Sequence, residues 1–229
     1  MRRIVRPLIY IDDRSNLYPM ELGIVKRRGR PPKNPSIKNE TKEALIRAGM
    51  EVLTEKCFTV ASIDEILQKV GVPKGSYYYY FSSKAEFGRQ LLDRYVAFFA
   101  NKLRRNLNNT SVAPLARIGE FAADAARGMA KYDFKRGCLV GNMSQEMTTI
   151  PEHFADQLRA GYELWQSIVE QCLVEAQESG EIAAHADCRK LASVFWSGWE
   201  GAVMRARVEQ RADPLYAFAD FFVAGLPRA

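Results

Sequence analysis

The chain is poor in the residues that metal and nucleophile chemistry draws on. Its 229 residues include only two histidines, His153 and His185, with no GxSxG stretch and no metal-ligand spacing. No enzyme activity, metal or cofactor is therefore expected. The four cysteines, Cys57, Cys138, Cys172 and Cys188, are scattered and form no CxxC pair. Neither a zinc site nor a disulfide framework follows, and free thiols do. No apolar run approaches the roughly 18 residues that a membrane-spanning helix requires. The start MRRIVRPLIYIDDR also lacks the apolar stretch and small-residue cleavage site of a signal peptide. A cytoplasmic protein without a membrane partner is the expectation. What the chain does have is 47% apolar and 11% aromatic residues, enough to bury a substantial core.

Charge is unevenly spread. Residues 1 to 110 hold 21 Lys+Arg against 11 Asp+Glu, and the rest holds 12 against 16. The basic half is suited to a polyanion partner. Residues 1–37 mix Pro, Arg, Asn and Asp without a sustained period and read as a flexible basic arm. MELGIVKRRGRPPK would begin sensibly at Met20, so a natural product without the first 19 residues is the expectation. From about Thr41 the apolar positions recur at helical spacing, so the remainder is expected to be all-α.

The helices of the basic half can be placed individually. Leu45, Ala48, Val52 and Leu53 share one face of a first helix over residues 38–56, with Phe58 at the following corner. Ser62 precedes IDEILQKV, where its hydroxyl can cap the next helix, and Glu65 three residues later completes a capping-box pattern. Gly71 can end that helix in the left-handed conformation, and Pro73 suits the first turn of another. Two short helices around a glycine turn form a helix-turn-helix, whose second helix enters the major groove of DNA.

That second helix is VPKGSYYYYFSSK, residues 72–84. At about 100° per residue, Tyr77 and Phe81 fall on one side near Pro73 and face the core. Gly75 and Tyr79 project opposite, flanked by Lys74 with Tyr78 and by Ser76 with Tyr80. These residues form the exposed face on the DNA side, and of them Tyr80 lies nearest the core direction, about 60° from it. A tyrosine ring can pack against thymine methyls or sugars while its hydroxyl meets a phosphate oxygen, and a lysine can reach guanine edges or phosphates. Ser82 or Ser83 can cap a following helix whose early Lys84 is placed for another phosphate.

FTVASIDEILQKVGVPKGSYYYYFSSKAEF resembles the DNA-binding segment of the TetR family of transcriptional regulators. The resemblance implies an all-α homodimer with a three-helix N-terminal DNA-binding domain, over residues 38–84, and an inducer-binding and dimerisation domain over residues 85–229. It also implies that Lys74, Gly75, Ser76 and Tyr78 approach bases, that Tyr79, Tyr80 and Lys84 hold the backbone of a double-stranded operator, and that Ser62 sits near a phosphate. In the arm, KRRGRPPK resembles an AT-hook, in which Arg27, Arg28 and Arg30 would enter a narrow A·T-rich minor groove. A solvated basic linker is the plainer alternative.

The C-terminal half is expected to carry a small-molecule switch. Gly198, Gly201 and Ala202 allow close helix packing, and in this family the last two helices of each subunit form a four-helix dimer interface. Trp165, Trp196 and Trp199 are candidates for lining an inducer site, although core packing is the commoner use of tryptophan. Cys138 follows Lys135, Arg136 and Gly137, and this positive charge with a helix start is expected to lower the thiol pKa. RGCLVGN with FWSGWEGAVMRA resembles a subgroup of the family that responds to acrylate, and a related subgroup of electrophile sensors shares the Gly-Cys-Leu. The resemblance implies a repressor released by an electrophilic or unsaturated molecule. The alternative is an activator, or a repressor of a non-electrophilic apolar ligand, with Cys138 structural like Cys57, Cys172 and Cys188. A constitutive architectural DNA binder would need no large aromatic C-terminal domain.

Overall fold

The structure is a computed structural model that describes the backbone of residues 8–11, 17–20 and 35–228 and the side chains of residues 39–228. The body is helical, as expected: α1 (Pro35–Glu55), α2 (Ile63–Val70), α3 (Lys74–Tyr80), α4 (Lys84–Leu107), α5 (Pro114–Ala130), α6 (Leu139–Ser144), α7 (Phe154–Glu178), α8 (Cys188–Glu209) and α9 (Asp213–Ala224). Within the stretch read as an arm, β1 (Leu8–Ile11) and β2 (Leu17–Met20) pair antiparallel, with Tyr10 opposite Tyr18. LIYI and LYPM are rich in the apolar and aromatic residues that favour strands, and four residues are too few for a period to show.

Helices α1 to α3 pack with the first turns of α4 around one apolar centre. Leu45, Val52 and Leu53 of α1 meet Ile66 and Leu67 of α2, and Tyr77, Phe81 and Phe87 close the centre with ring centroids 4.8–5.4 Å apart. Edge and tilted contacts at these separations suit the ring quadrupoles. The turn between α2 and α3 follows from Gly71, whose φ of 74° lies in the left-handed region. Pro73 falls one position earlier than expected, as the residue that caps α3 rather than its first helical residue.

The larger half stacks α4, α5, α7, α8 and α9 around Phe99, Phe121, Trp165, Phe195, Trp196 and Trp199. Gly198 fulfils its expected packing role, because a Cβ there would overlap the Phe218 ring of α9. Gly201 instead faces open space in the single chain.

The two halves are joined at the C-terminal end of α1, where helix carbonyls lack intrahelical partners. Gly137 N–H donates to Thr54 O at 2.8 Å, and Asn142 Nδ2 donates to Leu53 O at 2.9 Å. Arg207 of α8 donates from Nη2 to Glu55 O at 2.9 Å and from Nη1 to Asn142 Oδ1 at 3.2 Å. The buried carboxylate of Glu146 accepts from the backbone N–H groups of Phe58 and Thr59 and from the Thr59 hydroxyl. Gly137 and Asn142, with Arg207, therefore serve as the C-terminal cap of the first helix, and Glu146 ties down the corner that follows it.

Candidate functional site

Two surfaces stand out, one on α3 and one between α1 and the C-terminal half. On α3, Tyr77 is fully buried, and its hydroxyl donates to Ser83 O at 3.4 Å. Burial pushes that hydroxyl far above the usual tyrosine range. Tyr78 and Tyr79 are 53% and 54% exposed, whereas Tyr80 is half-buried and packs against the core edge-on to Tyr79. Lys74 is exposed and reaches Asp64 at 3.4 Å, a surface pair of small worth that a phosphate can displace. Gly75 is exposed with nothing within 4 Å of the position a Cβ would take, and Ser76 is half-buried beside it.

The flanking residues are held by local chemistry. Ser62 caps α2 by accepting from Glu65 N–H at 3.1 Å. The capping box is only half made, because the Glu65 carboxylate takes Lys56 Nζ at 2.7 Å instead of turning back. Ser83, not Ser82, caps α4. Lys84 turns inward, donating to Thr59 O at 3.1 Å and lying 4.9 Å above the Phe58 ring. Burial holds its pKa below the ordinary lysine value despite Glu146 nearby. Arg27, Arg28 and Arg30 lie outside the described residues.

The second surface is a cavity of about 220 Å³ between α1, α4, α5, α8 and the segment before α6. Cys138 and Trp199 line it. Trp165 and Trp196 are not part of its wall. Trp165 is buried with its indole N–H on Val96 O at 3.1 Å, and Trp196 is buried against it with ring centroids 5.2 Å apart. Three cations, Arg47, Lys102 and Arg136, reach the wall from α1, α4 and the 131–137 turn. Lys102 pairs with Asp124 at 3.1 Å, and Arg136 pairs with Glu55 at 3.0 Å.

Cys138 sits at the start of α6 as expected, its Sγ accepting from Gly141 N–H at 3.4 Å. The expected lowering of its pKa does not follow. Burial, with the Glu200 carboxylate adding repulsion, pushes the thiol well above the usual cysteine value. The charges read as its activators point elsewhere, since Arg136 serves Glu51 and Glu55 and Lys135 reaches Asp133 at 3.1 Å. Burial likewise pushes Cys172 up to about 12. Cys172 and Cys188 are buried, whereas Cys57 is exposed. Glu200, Asn142, Glu146 and Arg207 escaped the sequence reading. For Glu200 the available signal was a carboxylate inside the apolar run FWSGWEGAVM.

A third feature bears on assembly. Val194, Met204 and Val208 of α8 are 53%, 46% and 84% exposed, and Phe221 of α9 is 79% exposed. Val194, Gly201, Met204 and Val208 fall on one stripe of α8 at helical spacing, and the open space over Gly201 lets another helix approach.

Comparison with known proteins agrees with this arrangement. The model for the tetR family of bacterial regulatory proteins matches residues 45–91, and the tetracyclin repressor-like C-terminal domain matches residues 114–222. The chain is 46% identical to the transcriptional regulator AcuR of Cereibacter sphaeroides over 86% of this chain and 89% of that protein. It is 25% identical to the HTH-type transcriptional repressor NemR of Escherichia coli over 80% of this chain and 92% of that one. The crystal structure of a regulatory protein TetR from Rhodobacter sphaeroides superposes with a TM-score of 0.79 at 46% identity, covering 81% of this chain and 98% of that one.

Proposed function

The chain belongs to the TetR family of DNA-binding transcriptional regulators, and from that premise we propose that it is a cytoplasmic homodimeric repressor released from its operator by a small electrophilic or unsaturated molecule such as acrylate. The observation that carries this reading is that one segment walls the cavity, through Gly137 and Cys138, caps α1, through Gly137 and Asn142, and ties down the α1–α2 corner, through Glu146. A ligand that changes the cavity wall thereby acts on the helix-turn-helix.

In the repressing state the exposed stripes of α8 and α9 pair two chains, and the two α3 helices meet half-sites about one DNA turn, ~34 Å, apart. Lys74, Gly75, Ser76 and Tyr78 approach bases. Ser62, Tyr79, Tyr80 and Lys84 hold phosphates, Lys84 after leaving Thr59 O. Arg27, Arg28 and Arg30 follow the minor groove. The inducer drives release only to the extent that it binds the released conformer more tightly.

The test is operator binding by gel shift, with DNA flanking the protein's own gene, as acrylate is titrated in. Cys138→Ser is expected to bind operator as the wild type does and to resist release. Release of Cys138→Ser at the wild-type acrylate concentration would confine Cys138 to packing. The raised thiol pKa favours that second reading, in which an apolar ligand is held without a covalent bond and Cys138 is structural.

A further inference from the structure

Opposite the Cys138 thiol, the cavity wall carries a carboxylate that DNA binding and dimer formation leave unused. Glu200 comes from α8, and its Oε1 is buried without a hydrogen-bond partner. Its Oε2 occupies the space that Gly141 leaves by having no side chain. A Cβ at Gly141 would run into that oxygen, and the Cys138 Cβ lies 3.5 Å from the same point. Thiol and carboxylate thus converge on the first turn of α6. The Gly141 N–H donates to the sulfur at 3.4 Å, and the Tyr95 hydroxyl of α4 is near enough to favour the thiolate.

Cys138, Tyr95 and Tyr162 of α7 act on Glu200 directly, while the same cavity wall also carries Arg47, Glu51, Lys102 and Arg136, of which Lys102 is paired with Asp124 and Arg136 with Glu51 and Glu55. Burial pushes the Glu200 carboxyl up to about 7, with the neighbouring Cys138 thiol a smaller opposing influence. A thiol held mainly protonated is a weak nucleophile unless a base takes its proton, and a carboxylate that titrates near neutrality is suited to that task.

We propose that Glu200 is the general base that takes the Cys138 proton as the sulfur adds to an α,β-unsaturated carbonyl compound in the cavity. The proposal rests on the reading of Cys138 as the sensing residue. The thiol proton passes to the Glu200 carboxylate as the sulfur lone pair forms a bond to the β-carbon. The C=C π pair moves to the α-carbon as an enolate, which then takes the proton back from Glu200. A thioether results with no oxidant, reductant or leaving group, and Glu200 returns to its starting state. The Gly141 N–H and Tyr95 O–H stabilise the negative charge that develops on sulfur.

The test follows alkylation of Cys138 by acrylamide in the full chain, read by peptide mass mapping across pH 5.5–9, with operator binding as the check of folding. The wild-type rate is expected to rise with Glu200 ionisation near pH 7. Glu200→Gln is expected to lower the rate at pH 7.5 by about 10²-fold, leaving only the rise that accompanies thiol ionisation at higher pH. Glu200→Asp, with its carboxylate drawn back, is expected to recover part of the loss. If Glu200 merely repels a thiolate, Glu200→Gln reacts faster than the wild type, and a rate equal to or above wild type overturns the proposal. Should Glu200→Gln fail to bind operator, the wild-type profile decides, and the absence of a rise near pH 7 overturns it. Labelling of Cys57 with none at Cys138 in the wild type overturns the sensing role itself, whereas equal labelling of Cys138 in both proteins overturns only the role of Glu200.

Discussion

Glu146→Ala cuts the strut between the halves at a buried carboxylate. The carboxylate is 7% exposed and accepts from Phe58 N–H, Thr59 N–H and the Thr59 hydroxyl. A hydrogen bond to a charged group contributes about 1.5–3 kcal/mol, and a buried donor left unmet costs about as much. Thr59 is exposed and water can replace its partner, so only the Phe58 N–H counts in full. The expected loss is about 3 kcal/mol. For a chain of this size that lowers Tm by about 6–12 °C. Glu146→Gln keeps one acceptor oxygen but turns an NH2 group toward donors, and it should fall between alanine and wild type. Calorimetry of the three proteins at one concentration measures this. The same proteins, titrated with acrylate on operator DNA, report on coupling, because a loosened corner should shrink the effect of the cavity on α1. A Tm within about 1 °C of wild type, with release unchanged, would refute both the energetic reasoning and the role of the strut.

Tyr77→Ala removes a fully buried ring from the DNA-binding half and is expected to cost about 3–5 kcal/mol, read by denaturant unfolding. Tyr79→Phe should leave stability within about 0.5 kcal/mol and weaken operator binding several-fold by anisotropy. The reverse order for this pair would mean that α3 is rotated. Deleting residues 1–33 should weaken operator binding and flatten its salt dependence, since each lost phosphate contact lowers the slope of log K against log salt by about 0.9. An unchanged slope would remove the arm from the mechanism. Glu200 also predicts a pH effect on stability. Its folded pKa of about 7 exceeds the unfolded carboxylate value, so the native state holds more protons between the two. Stability should then fall as pH rises from about 4.5 through 7, by at most about 3 kcal/mol from this group. Glu200→Gln should flatten that slope in thermal melts at pH 5 and 8, and an unchanged slope would assign the pH dependence to other groups.

Local features of the chain were legible where the chemistry is local. The 3.6-residue period divided the tyrosine run correctly, burying Tyr77 and Phe81 and exposing Tyr78 and Tyr79. Tyr80, about 60° from the core direction, is half-buried. Ser62 and Gly71 end α2 as their side-chain chemistry dictates. Lys84 was read as pointing outward because nothing near it in sequence announces Thr59 O and the Phe58 ring, which folding brings alongside. The error at Cys138 has the same origin. Sequence proximity gave it Lys135 and Arg136, but Arg136 is drawn to Glu55, 81 residues away, and Glu200 arrives from α8. A nearby charge alters a thiol only when no better partner claims it, and partners are a property of the packed state. The same reasoning explains why Glu200, marked only by its apolar flanks, does not stand out from Arg205 and Glu209. Those two pair with each other at the surface of α8. Glu200 sits on the inward face, where Gly141 leaves room for a carboxylate and no ion pair to it forms among the described residues. An uncompensated carboxylate persists in a core only at a cost in stability, and proximity to the thiol that lines the same cavity is what would give that cost a use.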